Sequence, residues 1–177
     1  MLHRRKFALA VLGSPLLQGA ALGITLDAPN PVEISSSLIT SGQPTPQSLA
    51  GLGVLGIQAV IYLAPSSVPS AVKDEAELLK RQSIEFVHIP IPFNAPKEEH
   101  FIAASEALVR LKDKKVLVHC EVNMRASTVV FLHRVIALGE EPSRAYEAVS
   151  RIWSPAGPWR TLMIEQLNKH KIAFQPL

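Results

Sequence analysis

The segment Val116-Leu117-Val118-His119-Cys120-Glu121-Val122-Asn123-Met124-Arg125-Ala126-Ser127 constrains this chain more than any other. An aliphatic, β-branched run ends at a cysteine, and a short loop then leads into a long apolar stretch, which is the pattern of a buried strand feeding a helix. Such a turn points loop N–H groups and the positive end of a helix dipole at one place, a ready site for an anion. A cysteine there has its thiolate stabilised by the donors that would hold an oxyanion, so Cys120 reads as a preformed nucleophile. It is the only cysteine in 177 residues. A lone cysteine excludes an internal disulfide framework and a multi-thiolate metal site, and leaves a buried apolar thiol as the competing role.

The rest of the chain alternates short apolar runs with longer amphipathic ones, which predicts an α/β fold with a largely parallel central sheet flanked by helices. Strands are expected over 34–39, 59–63, 86–91 and 115–119. Helices are expected over 46–52 behind a Thr45 cap, 71–81 behind Ser70, 97–111, 127–138, 143–153 and 159–171. A hydrophobic share of 47% in 177 residues suits one domain with a substantial core. Acids early (Asp74, Glu75, Glu77) and bases late (Lys80, Arg81) complement the dipole of the helix from Ala71, and this face is read as solvated. Trp153 and Trp159 flank a Pro-rich corner and are read as packing residues. His88 and His133 are read as structural.

The basic run His3-Arg4-Arg5-Lys6 precedes an apolar stretch to Ile24, so residues 1–23 read as a signal peptide with a partly matching twin-arginine order. An uncut membrane anchor is the alternative, and the only membrane contact expected. Residues 24–33 form a Pro-rich connector and 34–177 the folded domain, which the leader would place in the periplasm or outside the cell. The net charge of +3 lies partly in that leader, so no nucleic-acid footprint is read from it.

In His119, Cys120 and Ser127 the sequence resembles the cysteine-dependent protein tyrosine and dual-specificity phosphatases, whose signature is His-Cys, five residues, Arg, then Ser or Thr between a strand and a helix. Arg125 stands one place early and Ala126 occupies the expected position. Either the loop is one residue shorter than the family's, or it has the same length with its arginine displaced. Asn123 favours the second, because it falls where the family has Gly and Asn tolerates a left-handed backbone. On that register, exchanging Arg125 and Ala126 should preserve or raise activity. Thr40 to Thr45, Gly56 to Leu63 and the closing Ile152 to Pro155 resemble a bacterial branch found beside β-lactamase-hydrolase-like domains, which shares the early arginine.

The resemblance implies a phosphomonoester hydrolase with a cysteinyl-phosphate intermediate and neither metal nor cofactor, acting on a phosphorylated protein or a small phosphomonoester. Cys120 would attack phosphorus. Arg125 and the amides of Glu121, Val122, Asn123, Met124 and Ala126 would hold the oxygens, with His119 orienting the loop and Ser127 assisting the sulfur or capping the helix. The Glu121 side chain is expected to point to solvent. Asn94 stands where the family carries its general-acid Asp, so Glu98, and after it Glu99, are the substitutes considered. A catalytically weak relative that binds phosphate or a phosphorylated partner is the alternative. Sulfur transfer in the manner of rhodaneses is a more distant one.

Overall fold

The computed structural model describes residues 26–176. The expectations for the signal segment, residues 1–23, lie outside them. Among the described residues five strands form one sheet in the order β1-β2-β5-β3-β4: β1 (Val32–Ser35), β2 (Leu38–Ser41), β3 (Ala59–Tyr62), β4 (Glu85–His88) and β5 (Val116–His119). β1 runs antiparallel to β2, and the remaining pairs are parallel. Among the described residues there are six helices: α1 (Pro46–Ala50), α2 (Glu75–Lys80), α3 (Glu98–Arg110), α4 (Met124–Ile136), α5 (Pro142–Ser150) and α6 (Gly157–Lys169). Among the described residues no helix is long and apolar enough to cross a membrane.

Alternation along the strands divides the core in two. Ala59, Ile61, Val116 and Val118 face a large cluster with α3, α4, α5 and α6, whereas Val60 and Leu117 face a smaller one with Leu49, Leu52 and Leu79. Both faces are covered, which is why these strands read as continuous apolar runs. Helix α4 is the centre of the larger cluster, buried without a break from Arg125 to Val135. Burying a side chain such as Phe131 or Leu132 contributes about 1.5–3 kcal/mol.

Four expectations are corrected. The strand over 34–39 is instead a hairpin, because Ser35 Oγ accepts from the Ser37 N–H at 3.3 Å and the chain turns back there. Val32 and Glu33, assigned to the connector, are in its first strand. Helix α2 begins at Glu75, four residues after Ala71, since residues 65–75 close as successive turns. Helix α4 begins at Met124, three residues before Ser127, because Asn123 takes a left-handed backbone (φ 71°) and redirects the chain there.

The parallel register aligns Ser41, His119, Tyr62 and His88 as the last residues of β2, β5, β3 and β4. Cys120 therefore leaves the middle of the sheet at its C-terminal edge. In open α/β sheets that edge is where ligands bind.

Candidate active site

The loop after β5 is held from the β2 side. The Cys120 N–H donates to Ser41 O at 3.2 Å, and Glu121 O accepts from the Gln43 N–H at 3.0 Å. Gly42 sits between them, and a Cβ there would lie 2.6 Å from Glu121 O and 2.7 Å from Pro29 Cβ, so only glycine lets the segments close. The Asn30 amide donates to Val122 O at 3.1 Å. The buried Asn123 amide donates to Asn30 O at 2.6 Å and to Thr40 Oγ1 at 3.1 Å. The first bond of α4 runs from the Ser127 N–H to Asn123 O at 3.0 Å, so the amides of Met124, Arg125 and Ala126 precede any intrahelical acceptor. They are donors at the positive end of the helix dipole.

Arg125 is brought to this loop and buried, at 3% exposure. Its Nε–H donates to Ile91 O at 3.0 Å, its Nη1 donates to Glu121 Oε2 at 2.9 Å, and its guanidinium carbon lies 5.0 Å from the Phe93 ring centroid. Phe93 is itself flanked by Trp153 and Trp159, and the Trp159 indole N–H donates to Phe93 O at 2.8 Å. The two tryptophans thus pack the core and also brace the ring over the arginine. Glu121 does not point freely to solvent as expected: its half-buried carboxylate takes one arm of the guanidinium. One arm of the guanidinium is therefore already paired with a carboxylate.

Ala126, the position where the signature expects arginine, is fully buried in the apolar cluster around α4. With Asn123 already left-handed and α4 started at Met124, the arginine directed at the loop is Arg125. Ala126 is packed into the core, and this removes the reason to expect benefit from exchanging Arg125 and Ala126. Val122 is exposed, Met124 is half-buried, and Cys120 has no exposed surface.

Behind Cys120 lies a polar cluster. His119 Nε2 faces Glu75 Oε1 at 2.7 Å, and Gln43 Nε2 donates to Glu75 Oε2 at 3.0 Å, with all three side chains buried. Glu75, read from sequence as part of a solvated face, is 3% exposed. It stands one helical turn before the buried Leu79, and that i, i+4 spacing is the signal by which it could have been found. Tyr62 stacks between His119 and His88, with ring centroids 4.7 and 4.9 Å away. Burial, then the charges of Glu75 and Glu121, push the Tyr62 phenol up to about 12, with Arg125 opposing. Phe93, Gln43 and the Ile91 carbonyl were not picked out from sequence either.

Glu98 is not placed for acid catalysis. It lies in the first turn of α3 with its carboxylate bonded to Lys169 of α6, and that ammonium, followed by Gln166, holds its carboxyl below the usual carboxylate range. A general acid needs the opposite shift. Glu99 pairs with Lys97 at 3.4 Å. Asn94 is exposed in the turn after Phe93. Ser127 Oγ donates to Met124 O at 3.2 Å, within the first turn of α4. His88 Nε2 meets Ala64 O at 2.8 Å, and His133 Nδ1 meets Ser105 Oγ at 2.8 Å, away from the loop.

No family model matches the chain, and no curated protein matches it by sequence. Solved structures do match. A phosphatase candidate of the DUF442 group from Shewanella putrefaciens CN-32 superposes with a TM-score of 0.74 at 29% identity, over 81% of this chain and 94% of that one. The structure of Tk-PTP in its active form follows with a TM-score of 0.62 at 25% identity, over 81% and 97% of the two chains. The fold is protein tyrosine phosphatase-like. PTPMT1, solved in complex with PI(5)P, shares the fold with a TM-score of 0.66 at 13% identity, over 80% and 97%. In this chain four residues separate Cys120 from Arg125, and the first of them supplies a carboxylate to the arginine.

Proposed function

We propose that the protein is a phosphomonoester hydrolase working through a cysteinyl-phosphate. What supports this reading is that Arg125 is bonded to the carboxylate of Glu121, the residue after Cys120, and that the first-turn amides of α4 follow on the same loop. Attack by the Cys120 thiolate forms the S–P bond as the P–O bond to the leaving group breaks. Water then cleaves S–P, releasing phosphate and restoring the thiol. Amides and guanidinium stabilise the charge on the equatorial oxygens.

Asn94 cannot protonate a leaving oxygen and Glu98 is held elsewhere, so leaving groups that depart as stable anions should be favoured. Aryl phosphates are expected to turn over at least tenfold faster than alkyl phosphates. A phosphorylated tyrosine or a small aryl phosphomonoester fits this chemistry best. The leader-like residues 1–23 support action outside the cytoplasm.

The decisive experiment compares hydrolysis of p-nitrophenyl phosphate by the protein and by Cys120→Ser, with trapping of a phosphoenzyme by acid quench. Turnover that survives the serine substitution would remove Cys120 from the mechanism. A second reading, a phosphate-binding module with little turnover, is favoured by the full burial of Cys120 and the engagement of Arg125 by Glu121. Vanadate binding without hydrolysis of any aryl phosphate would select it.

A further inference from the structure

Glu75 is a carboxylate with no evident reason to be buried in a helix whose other acids are exposed, and its two oxygens are both occupied. One meets His119, the residue before the nucleophile. The other accepts from the side chain of Gln43, whose backbone N–H holds the carbonyl of Glu121, the residue after the nucleophile. The two arms therefore reach the chain on either side of Cys120, from a helix that belongs to neither β5 nor α4. We propose that Glu75 is a positioning residue for the Cys120 loop, clamping the backbone that enters and leaves the nucleophile through His119 and Gln43.

The clamp explains several separate features. His119 ends a strand buried on both faces, and its ring is fixed in rotation by the Glu75 bond on its edge and by Tyr62 on its face. Gln43 is 7% exposed although glutamine is ordinarily a surface residue, and it follows the glycine that permits the close approach to Glu121. The charged and titratable groups that surround the clamp are Tyr62 from β3, His88 behind it from β4, and Cys120, Glu121 and Arg125 from the loop. A buried carboxylate among them is tolerated because its oxygens are paired, and deleting it strands both partners. His119 Nδ1 and Gln43 Oε1, already buried without a partner among the described residues, would be joined by His119 Nε2 and Gln43 Nε2.

Gln43 Oε1 also makes a conservative rescue possible. In Glu75→Gln, the new Oε1 accepts from His119 Nε2–H. The new amide donates to Gln43 Oε1 once the Gln43 amide flips, so both arms survive without the charge. Glu75→Ala loses both.

The kinetic consequence rests on the phosphatase reading, but the clamp is testable without it. Glu75→Ala should lower kcat for p-nitrophenyl phosphate at least tenfold with KM changed less than threefold. Hydrogen exchange at the amides of Gln43 and Cys120 should quicken at least tenfold while the β3 amides, such as Val60, keep their rates. Glu75→Gln should recover both measurements to within threefold, and Glu77→Gln on the exposed face of α2 should change neither. Where Glu75→Ala fails to fold, Gln43→Ala removes one arm and should quicken exchange at the Gln43 amide. Unchanged exchange at Gln43 and Cys120, uniform quickening across the sheet, or a Gln variant no better than Ala would each overturn the clamp. If the wild-type protein hydrolyses nothing, the exchange measurements still decide it, so its failure and that of the phosphatase reading are separable.

Discussion

At the scale of single residues, the proposed function sets Glu121 and an incoming anion in contest for Arg125, and that contest would govern how readily the loop is filled. The carboxylate sits 2.9 Å from Nη1 while Ile91 O holds Nε, so two of the five guanidinium N–H donors are committed before any ligand arrives. A phosphate oxygen must displace Glu121 or accept what it leaves. A charge-assisted hydrogen bond is worth about 1.5–3 kcal/mol, and each 1.36 kcal/mol is tenfold in affinity. Glu121→Gln keeps the shape, weakens the competitor and removes a negative charge that opposes the ligand. Vanadate should then bind about tenfold tighter by titration calorimetry. Weaker binding would mean that the carboxylate orients Arg125 for the ligand instead of competing with it.

At the scale of elements, the turn from β5 into α4 sets which side chain can serve the loop. Asn123 at φ 71° starts the helix at Met124, and the next two positions diverge by roughly 100° around the axis. Arg125 falls toward the loop and Ala126 into the core at 0% exposure. The double variant Arg125→Ala with Ala126→Arg, which restores the family's written order, would force an unpaired charge into a packed interior. Breaking or stranding a buried charge costs about 3–5 kcal/mol. Urea denaturation should show a loss of at least that order, and aryl phosphate hydrolysis should vanish. An active, stable double variant would support a loop of the family's length with its arginine displaced.

At the scale of the whole molecule, α4 carries a titratable group into the core. Burial holds the His133 imidazole below the ordinary histidine value of 6.5, with Glu140 opposing, and Ser105 is its hydrogen-bond partner. The fold therefore favours the neutral ring. Its contribution to stability is fully present above the unfolded value and is lost as pH falls through the depressed folded one. Thermal unfolding followed from pH 7.5 downward should show the midpoint falling below about pH 6.5. The fall should be smaller in His133→Gln. Identical profiles for the two proteins would assign the acid sensitivity to other groups.

What the chain's own order determined is the part governed by local periodicity. The strands at 59–63 and 115–119 were legible because both faces of the sheet are covered and the runs are uniformly apolar. The Thr45 cap was legible because its hydroxyl bonds the Ser48 N–H three residues on, a local contact. The left-handed Asn123 was legible because it falls where the resembled family has Gly, and Asn is among the few other residues that tolerate that backbone. What only the tertiary structure decided involves partners far apart in sequence. Glu75 looked like one more acid on a solvated helix until α2 was laid behind β5 and met His119, 44 residues away. Phe93 looked incidental until the tryptophans of the C-terminal corner braced it over Arg125. Glu98 and Lys169 are 71 residues apart, and only the packing of α3 against α6 takes that carboxylate out of contention as an acid. Sequence periodicity reports which face of an element is apolar. Which polar group becomes buried, and against what, depends on how the faces are stacked, and that is where the character of this site was set.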